Sequence, residues 1–296
     1  MNQINYAKAY SDALAQAFPY ALHFGALYAT PNNGRYRFRG GKSIELPVIT
    51  TTGRTHVDRD GTEEIARNYE NNWETKTLTN QRKWSTLIHP QDIDQTNYAA
   101  TIENITSVFN REHKFPEMDA YTVSKLYTDW SVLGNTPKRI ALTAENILET
   151  FDTLMADMSE AGVPTGGRVL YVTPSVMKLL KSASALGRSF DVKTAGGEIN
   201  RSVTMLDGVS VVEVPASLMK TSYDFSNGYS PLPDAEQVQM LLIHPEAVIT
   251  PVSYEFACLD EPSASTGGKY VYYEESFEDV FLLNRRADGV AFVLYA

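Results

Sequence analysis

Apolar residues recur at helical spacing in some stretches of this chain and at alternate positions in others. Tyr98, Ile102, Ile105 and Phe109 follow one another at steps of 4, 3 and 4, which makes one helical face within 91–130. Asp92 or Asp94 can cap the start. Pro116 interrupts and suits the first turn of a second helix carrying Val123, Leu126, Tyr127 and Trp130. Residues 143–250 read as a compact α/β region. Thr143 caps a helix whose apolar stripe is Ile147, Leu148, Phe151, Leu154, Met155 and Met158, and Gly162 and Pro164 end it. A strand follows at Arg168–Val172, and Thr173-Pro174 opens a short helix with Val176, Leu179 and Leu180. A Gly-rich loop from Gly187 to Asn200 leads to strands at Gly208–Val214 and Val238–Ile243, stopped by Pro215 and His244-Pro245.

Toward both ends the pattern changes. Residues 1–33 are mixed and polar and read as an arm. A short helix fits Tyr6 to Phe18, and Pro19 stops it. Residues 34–88 read as two long strands with a polar tip. Arg35-Tyr36-Arg37-Phe38-Arg39 alternates strictly, Gly40-Gly41 turns or bulges, and Ile44, Leu46 and Val48 continue the period. The tip, Arg54 to Asn72, is highly charged, and the return strand runs from Trp73 to Ile88. Two long strands with so little apolar content are not stable alone. The hairpin is therefore either an exposed arm on a domain or an arm that lies on another subunit. In 251–296, Tyr270–Tyr273 and Val280–Leu283 flank an acidic stretch, and Asp288-Gly289 signals a hairpin leading into Val290–Leu294.

Composition narrows the classes. The chain has 296 residues, 43% apolar and 21% charged, which is globular and not disordered. A single cysteine, Cys258, excludes a disulfide scaffold. No stretch approaches the roughly 20 apolar residues of a membrane helix, and the start lacks a secretory signal. A soluble chain made inside the cell, with no membrane partner, is expected. Net charge is −10, unevenly placed: residues 1–90 hold 11 Lys+Arg against 8 Asp+Glu, while the remainder is strongly acidic. Such a chain is a poor general binder of nucleic acid, and its basic part can attract the acidic part of a neighbour.

Chemistry is scarce. Gly40-Gly41-Lys42-Ser43 resembles the end of a phosphate-binding loop, but Tyr36 stands where that loop needs its first glycine. Asp58-Arg59-Asp60-Gly61 lacks the later ligands of a calcium loop. There is no HExxH, GxSxG or CxxC, and none of the five histidines lies within a helical turn of another. The sequence thus points to no catalytic, cofactor-binding or metal-binding residue. Two charge features remain. Arg35, Arg37 and Arg39 project from one strand face, with Tyr36 and Phe38 on the other and Lys42 just beyond. Glu274, Glu275, Glu278 and Asp279 form the acidic counterpart. The basic strand is a solvated face, a contact to nucleic acid or a contact to another subunit. Single exposed pairs contribute about 0–1 kcal/mol, but several together set register and orientation between subunits.

The order of these segments resembles the major capsid protein of tailed bacteriophages, whose coat-protein fold is shared with encapsulins. Gly41-Lys42-Ser43-Ile44-Glu45-Leu46-Pro47 resembles the family's extended loop, and Ile93 to Glu112 its spine helix. Thr143 to Gly162 with Arg168–Ser175, and then Leu206–Pro215, resemble the axial domain; Phe277 to Tyr295 resembles the closing strands of the peripheral domain.

The resemblance implies an α+β fold: arm at 1–33, extended β-hairpin loop at 34–90, peripheral domain with spine helix at 91–142, axial domain at 143–250, and peripheral return strands at 251–296. It implies a non-enzymatic shell subunit that assembles as hexamers and pentamers into an icosahedral head around double-stranded DNA, packaged without sequence-specific binding. The arm and extended loop would reach across neighbouring subunits, placing Arg35, Arg37, Arg39 and Lys42 against the acidic residues of another copy. No long scaffolding region precedes the arm, so a separate scaffolding protein is expected, with a portal protein and a decoration protein as further partners. Such a protein ends in the virion after assembly in the host cytoplasm. The alternatives are an encapsulin-like compartment around a cargo enzyme and, remotely, an α/β enzyme.

Overall fold

The computed structural model describes residues 22–39, 41–54, 56, 67–95, 101–183 and 203–296. The helix expected at Tyr6–Phe18, the loop at Gly187–Asn200 and most of the charged tip lie outside them. In chain order the elements are α1 (Gly25–Tyr28), β1 (Arg37–Phe38), β2 (Ser43–Thr51), β3 (Tyr69–Thr77), β4 (Gln81–Ile88), α2 (Pro90–Gln95), α3 (Ile102–Phe109), α4 (Phe115–Val132), β5 (Lys138–Arg139) and α5 (Ile147–Glu160). Then come β6 (Val169–Val172), α6 (Pro174–Ser182), β7 (Met205–Leu206), β8 (Val209–Glu213), β9 (Tyr223–Asp224), β10 (Ser230–Pro231), β11 (Val238–Ile243), β12 (Val248–Ile249), β13 (Val252–Asp260), β14 (Tyr270–Glu278), β15 (Phe281–Leu282) and β16 (Val290–Leu294).

A six-stranded sheet, β5-β16-β11-β6-β8-β7, forms the centre. Its strands read as nearly continuous apolar runs because both faces are covered. Leu170, Val172, Met240, Leu242 and Val293 meet α5 and α6, which contribute Ile147, Phe151, Leu154, Met158, Val176 and Leu180. The alternate positions, Val169, Tyr171, Leu241, Ile243, Val290 and Phe292, meet Ala120, Val123, Leu126 and Trp130 of α4, together with Phe24 and Leu27. Thr143 does not cap α5: the N-cap is Asn146, which makes no side-chain cap bond. Just ahead of the helix Thr143 Oγ1 accepts the Asn146 N–H at 3.3 Å, and Asn146 Oδ1 accepts the Thr143 N–H at 2.8 Å. Gly162, at φ +77, ends the helix in the left-handed conformation that a side chain disfavours.

Several expectations need correction. Residues 22–34 are built into the body. Phe24 and Leu27 are fully buried, and the buried Asp119 carboxylate accepts the N–H groups of His23 and Phe24 at 3.0 and 3.1 Å. Asn32 Nδ2 donates to the carbonyls of Glu246 and Val248, and Asn33 pairs with Thr250. The polar residues that suggest an arm here serve as buried donors and acceptors. The long helix is capped by Thr101, whose side chain accepts the Asn104 N–H; Asp92 sits in the separate α2. Pro116 stands, as expected, in the first turn of a second helix, α4. A π-helical turn, Asn110–Lys114, joins α3 to α4 and sets the proline in the first turn of α4.

The return strand of the hairpin divides. β3 pairs with β2 from Ser43↔Thr77 to Thr51↔Tyr69. The chain then crosses at Leu78–Asn80, and β4 joins a second sheet of order β13-β14-β4. The acidic stretch 274–278 is itself part of β14. Asp288-Gly289 makes no hairpin: Asn284–Gly289 is a 3-10 segment, with β15 pairing β12 and β16 pairing β11. The last strand therefore returns to the sheet built mainly from 143–250.

Candidate inter-subunit surfaces

The hairpin β2/β3 is closed at its root and open along its length. At the root, Ile44, Leu46 and Leu78 pack on Ile249, Phe277 and Phe281. Farther out, β3 has no buried residue and β2 ends in exposed threonines. Ile49, Tyr69 and Trp73 remain 62%, 52% and 40% exposed. Two strands that bury so little of their own surface lack the core that makes a sheet independently stable.

The basic residues sit beside this root. Only Arg37 and Phe38 form a strand; Arg35 follows the 3-10 turn Pro31–Gly34 and is exposed. Arg37 and Arg39 reach the same carboxylate, Glu45, at 3.4 and 2.8 Å, and Arg37 also lies 4.1 Å from the centre of the Trp73 ring. Tyr36 and Phe38 meet edge to face on the other side, as strict alternation predicts. Lys42 is exposed in the turn, and its carbonyl accepts the Leu78 N–H. Three arginines and a lysine beside one carboxylate leave this surface positive.

The four acidic residues part company because strand neighbours face opposite ways. Glu274 faces the long helix and pairs with Lys114 at 3.1 Å. There it also accepts the Tyr272 hydroxyl, which burial first and this carboxylate second push up to about 12. Glu275 faces outward, accepting Gln81 Nε2 and the Tyr273 hydroxyl, and those bonds hold its carboxyl below the usual range. Glu278 lines a cleft of about 540 Å³ with Arg82, Lys114, Glu117 and Glu255. Burial raises its pKa; Lys114 opposes this and Glu255, Glu117 and Asp279 add to it. Asp279 is 1% exposed and accepts Thr79 N–H, Thr79 Oγ1 and Tyr121 Oη. It works inside the chain. Among the described residues no ion pair joins the basic set to the acidic set, so one subunit does not bring them together.

Sequence reasoning missed the outer strand β13. Its Val252, Tyr254, Phe256 and Leu259 are 43–48% exposed, although alternating apolar residues ordinarily mark a buried face. The signal was present in 252–256 but had nothing to distinguish an open face from a covered one. Among the described residues no group of His, Cys, Asp or Glu is arranged to hold a metal ion, and no helix is long and apolar enough to cross a membrane.

No family model matches the chain, and no curated protein matches it. Solved structures do. A chain in the asymmetric unit of the bacteriophage PhiM1 mature capsid is 15% identical, with a TM-score of 0.68 over 96% of this chain and 90% of that one. A chain from Mycobacterium phage Che8 is 14% identical, with a TM-score of 0.64 over 95% and 93%. A chain in the capsid of cyanophage P-SCSP1u is 13% identical, with a TM-score of 0.64 over 96% and 90%. At these identities the likeness is one of fold, and it runs from end to end in both partners. This α+β chain carries the major capsid fold of tailed bacteriophages.

Proposed function

We propose that this chain is a major capsid protein that self-assembles into the icosahedral head shell enclosing the double-stranded DNA of a tailed bacteriophage. The observation that carries the reading is the end-to-end fold likeness to capsid chains. A hairpin whose faces stay open within the subunit supports it. In this reading the subunit acts by shape and contact and carries no catalytic step. The helix–sheet unit of 143–250 is the axial domain and gathers at the centres of hexamers and pentamers. The long helix and the β13-β14-β4 sheet form the peripheral domain, and β2/β3 is the extended loop. A separate scaffolding protein, a portal protein and a decoration protein are the partners the reading adds, with the virion as final location after assembly in the host cytoplasm.

The basic strand lies against a neighbouring subunit and not against DNA. Arg35, Arg37, Arg39 and Lys42 supply the positive side, and Glu275 is the member of the acidic set turned outward to meet it. Replacing the three arginines with glutamine impairs shell assembly; normal assembly with lost DNA retention would contradict this. The reading as a whole is tested by electron microscopy of the sedimentable fraction from cells expressing the chain with its phage's other head proteins. Closed shells rich in nucleic acid are expected. Shells filled with one protein cargo would favour a storage compartment, and a persistently monomeric chain would overturn the shell reading.

A further inference from the structure

A strand edge left unpaired is a template for another strand, and folded chains guard such edges with charge, shortness, proline or cover. Among the described residues most sheet edges are guarded. β5 and β7, the edges of the central sheet, have two residues each, and so does β1 at one edge of the hairpin sheet. β3, at the other, carries Glu70, Glu74 and Lys76. β4 carries Arg82 and Lys83, and Arg82 holds the 225–228 turn by donating to the Phe225 and Gly228 carbonyls. β13 has none of these guards. It runs for nine residues, Val252–Asp260, at the edge of the β13-β14-β4 sheet, and none of them is buried. It holds no lysine, arginine or proline, and Glu255 is its one charge before Asp260.

The edge also fits itself. Pairing with β14 is irregular between Val252 and Tyr254 and regular from Tyr254 to Asp260. The middle of that regular run is Ala257, its smallest side chain. When two copies of the run meet antiparallel about Ala257, Tyr254 stands opposite Asp260, Glu255 opposite Leu259 and Phe256 opposite Cys258, in both directions. Each acid then meets an uncharged residue. The two Glu255 carboxylates sit four positions apart, about 14 Å along the strands. A register centred on Glu255 would oppose those carboxylates directly, which is destabilising. Tyr254 and Phe256 already stack on one face with ring centres 6.4 Å apart, so the pairing extends an ordered aromatic row.

We propose that the β13 edge of one subunit pairs antiparallel with the β13 edge of a second copy across a two-fold axis at Ala257, which joins their two sheets into one. This rests on the shell reading and names a contact within that assembly. Backbone groups supply the bonds, and the side chains set the register. The contact is isologous, because both copies use the same surface, and it closes on itself. Contacts around a ring of five or six subunits are head-to-tail instead. The paired edges therefore link a subunit of one ring to a subunit of the next.

Cys258, the only cysteine in the chain, stands in this run and makes the test direct. Phe256→Cys sets a thiol opposite Cys258 of the second copy, and Ala257→Cys with Cys258→Ser sets one on the axis, opposite itself. Leu87→Cys with Cys258→Ser is the control, since Leu87 is 61% exposed on β4, the far edge of the same sheet. Assembled particles are oxidised with diamide and run on a non-reducing gel. At least one β13 variant is expected to give about tenfold more disulfide-linked dimer than the control, because a disulfide needs Cα atoms within about 4.4–6.8 Å. Particles in which neither exceeds the control would overturn the pairing and leave the shell reading intact. Cross-linked dimers in solution, with no shell from the wild-type chain, would uphold the pairing and overturn the shell reading. If the cysteine variants alone fail to assemble, charge decides. Leu259→Glu opposes Glu255 of the second copy and should cut particle yield about tenfold, and adding Glu255→Lys should restore it; an unchanged yield or no restoration would overturn the proposal.

Discussion

β11 and β3 are both strands of this subunit, and they live in opposite surroundings. All six residues of Val238–Ile243 are buried, and none of the nine in Tyr69–Thr77 is. The first has a helix layer on each side of its sheet; the second has its own root and a polar brace. Burying one large aliphatic side chain contributes about 1.5–3 kcal/mol. The central sheet is therefore stable within one chain, whereas the hairpin draws its stability from what covers it. In the proposed function, one region makes the subunit and the other makes the assembly.

Substitutions sharpen that contrast, beginning with the largest effect on the isolated subunit. Phe151→Ala removes a fully buried ring between α5 and the sheet. It should cost about 3–5 kcal/mol, read as a fall in urea midpoint. Asp119→Asn keeps the shape but takes the charge from the carboxylate that holds the His23 and Phe24 N–H groups. Bonds to a charged group are worth about 1.5–3 kcal/mol, so a loss of about 1–2 kcal/mol is expected, with earlier proteolysis at residues 22–34.

Glu278 tests the sheet–helix cleft through pH. Its folded pKa is raised, chiefly by burial, so the folded state holds its proton more tightly than the unfolded chain, and stability falls as pH rises through the folded value. Glu278→Gln should therefore raise Tm at pH 7 by about 2 °C. The gain should vanish below the ordinary carboxylate range, where both states are protonated. An equal gain at every pH would place its origin elsewhere. Trp73→Ala should move the subunit's Tm least, within about 0.5 kcal/mol as for other exposed positions, while sharply lowering particle yield. If subunit stability and particle yield fell together, the division between the two regions would fail.

The parts that could be read from the sequence are those whose causes are local. The stripe from Ile147 to Met158 and its Gly162 stop needed only neighbours in the chain. The burial of Phe24 and Leu27 depends on Asp119, some 95 positions away, so a polar segment looked like an arm. The break at Leu78–Asn80 also has a distant cause, since Asp279 binds Thr79 and draws β4 into another sheet. Among the candidate contact residues, alternation correctly brought Arg37 and Arg39 to one side. It could not separate Glu275, turned outward, from Asp279, buried, because a run of acids does not show whether it is loop or strand.

Amide hydrogen exchange tests the central claim most directly, measured on the dissociated subunit and on the assembled particle. The account predicts that amides of Val238–Ile243 exchange slowly in both states, while those of Val48–Thr51 and Tyr69–Trp73 slow about tenfold or more on assembly. Equal protection of the hairpin in the free subunit and in the particle would contradict it.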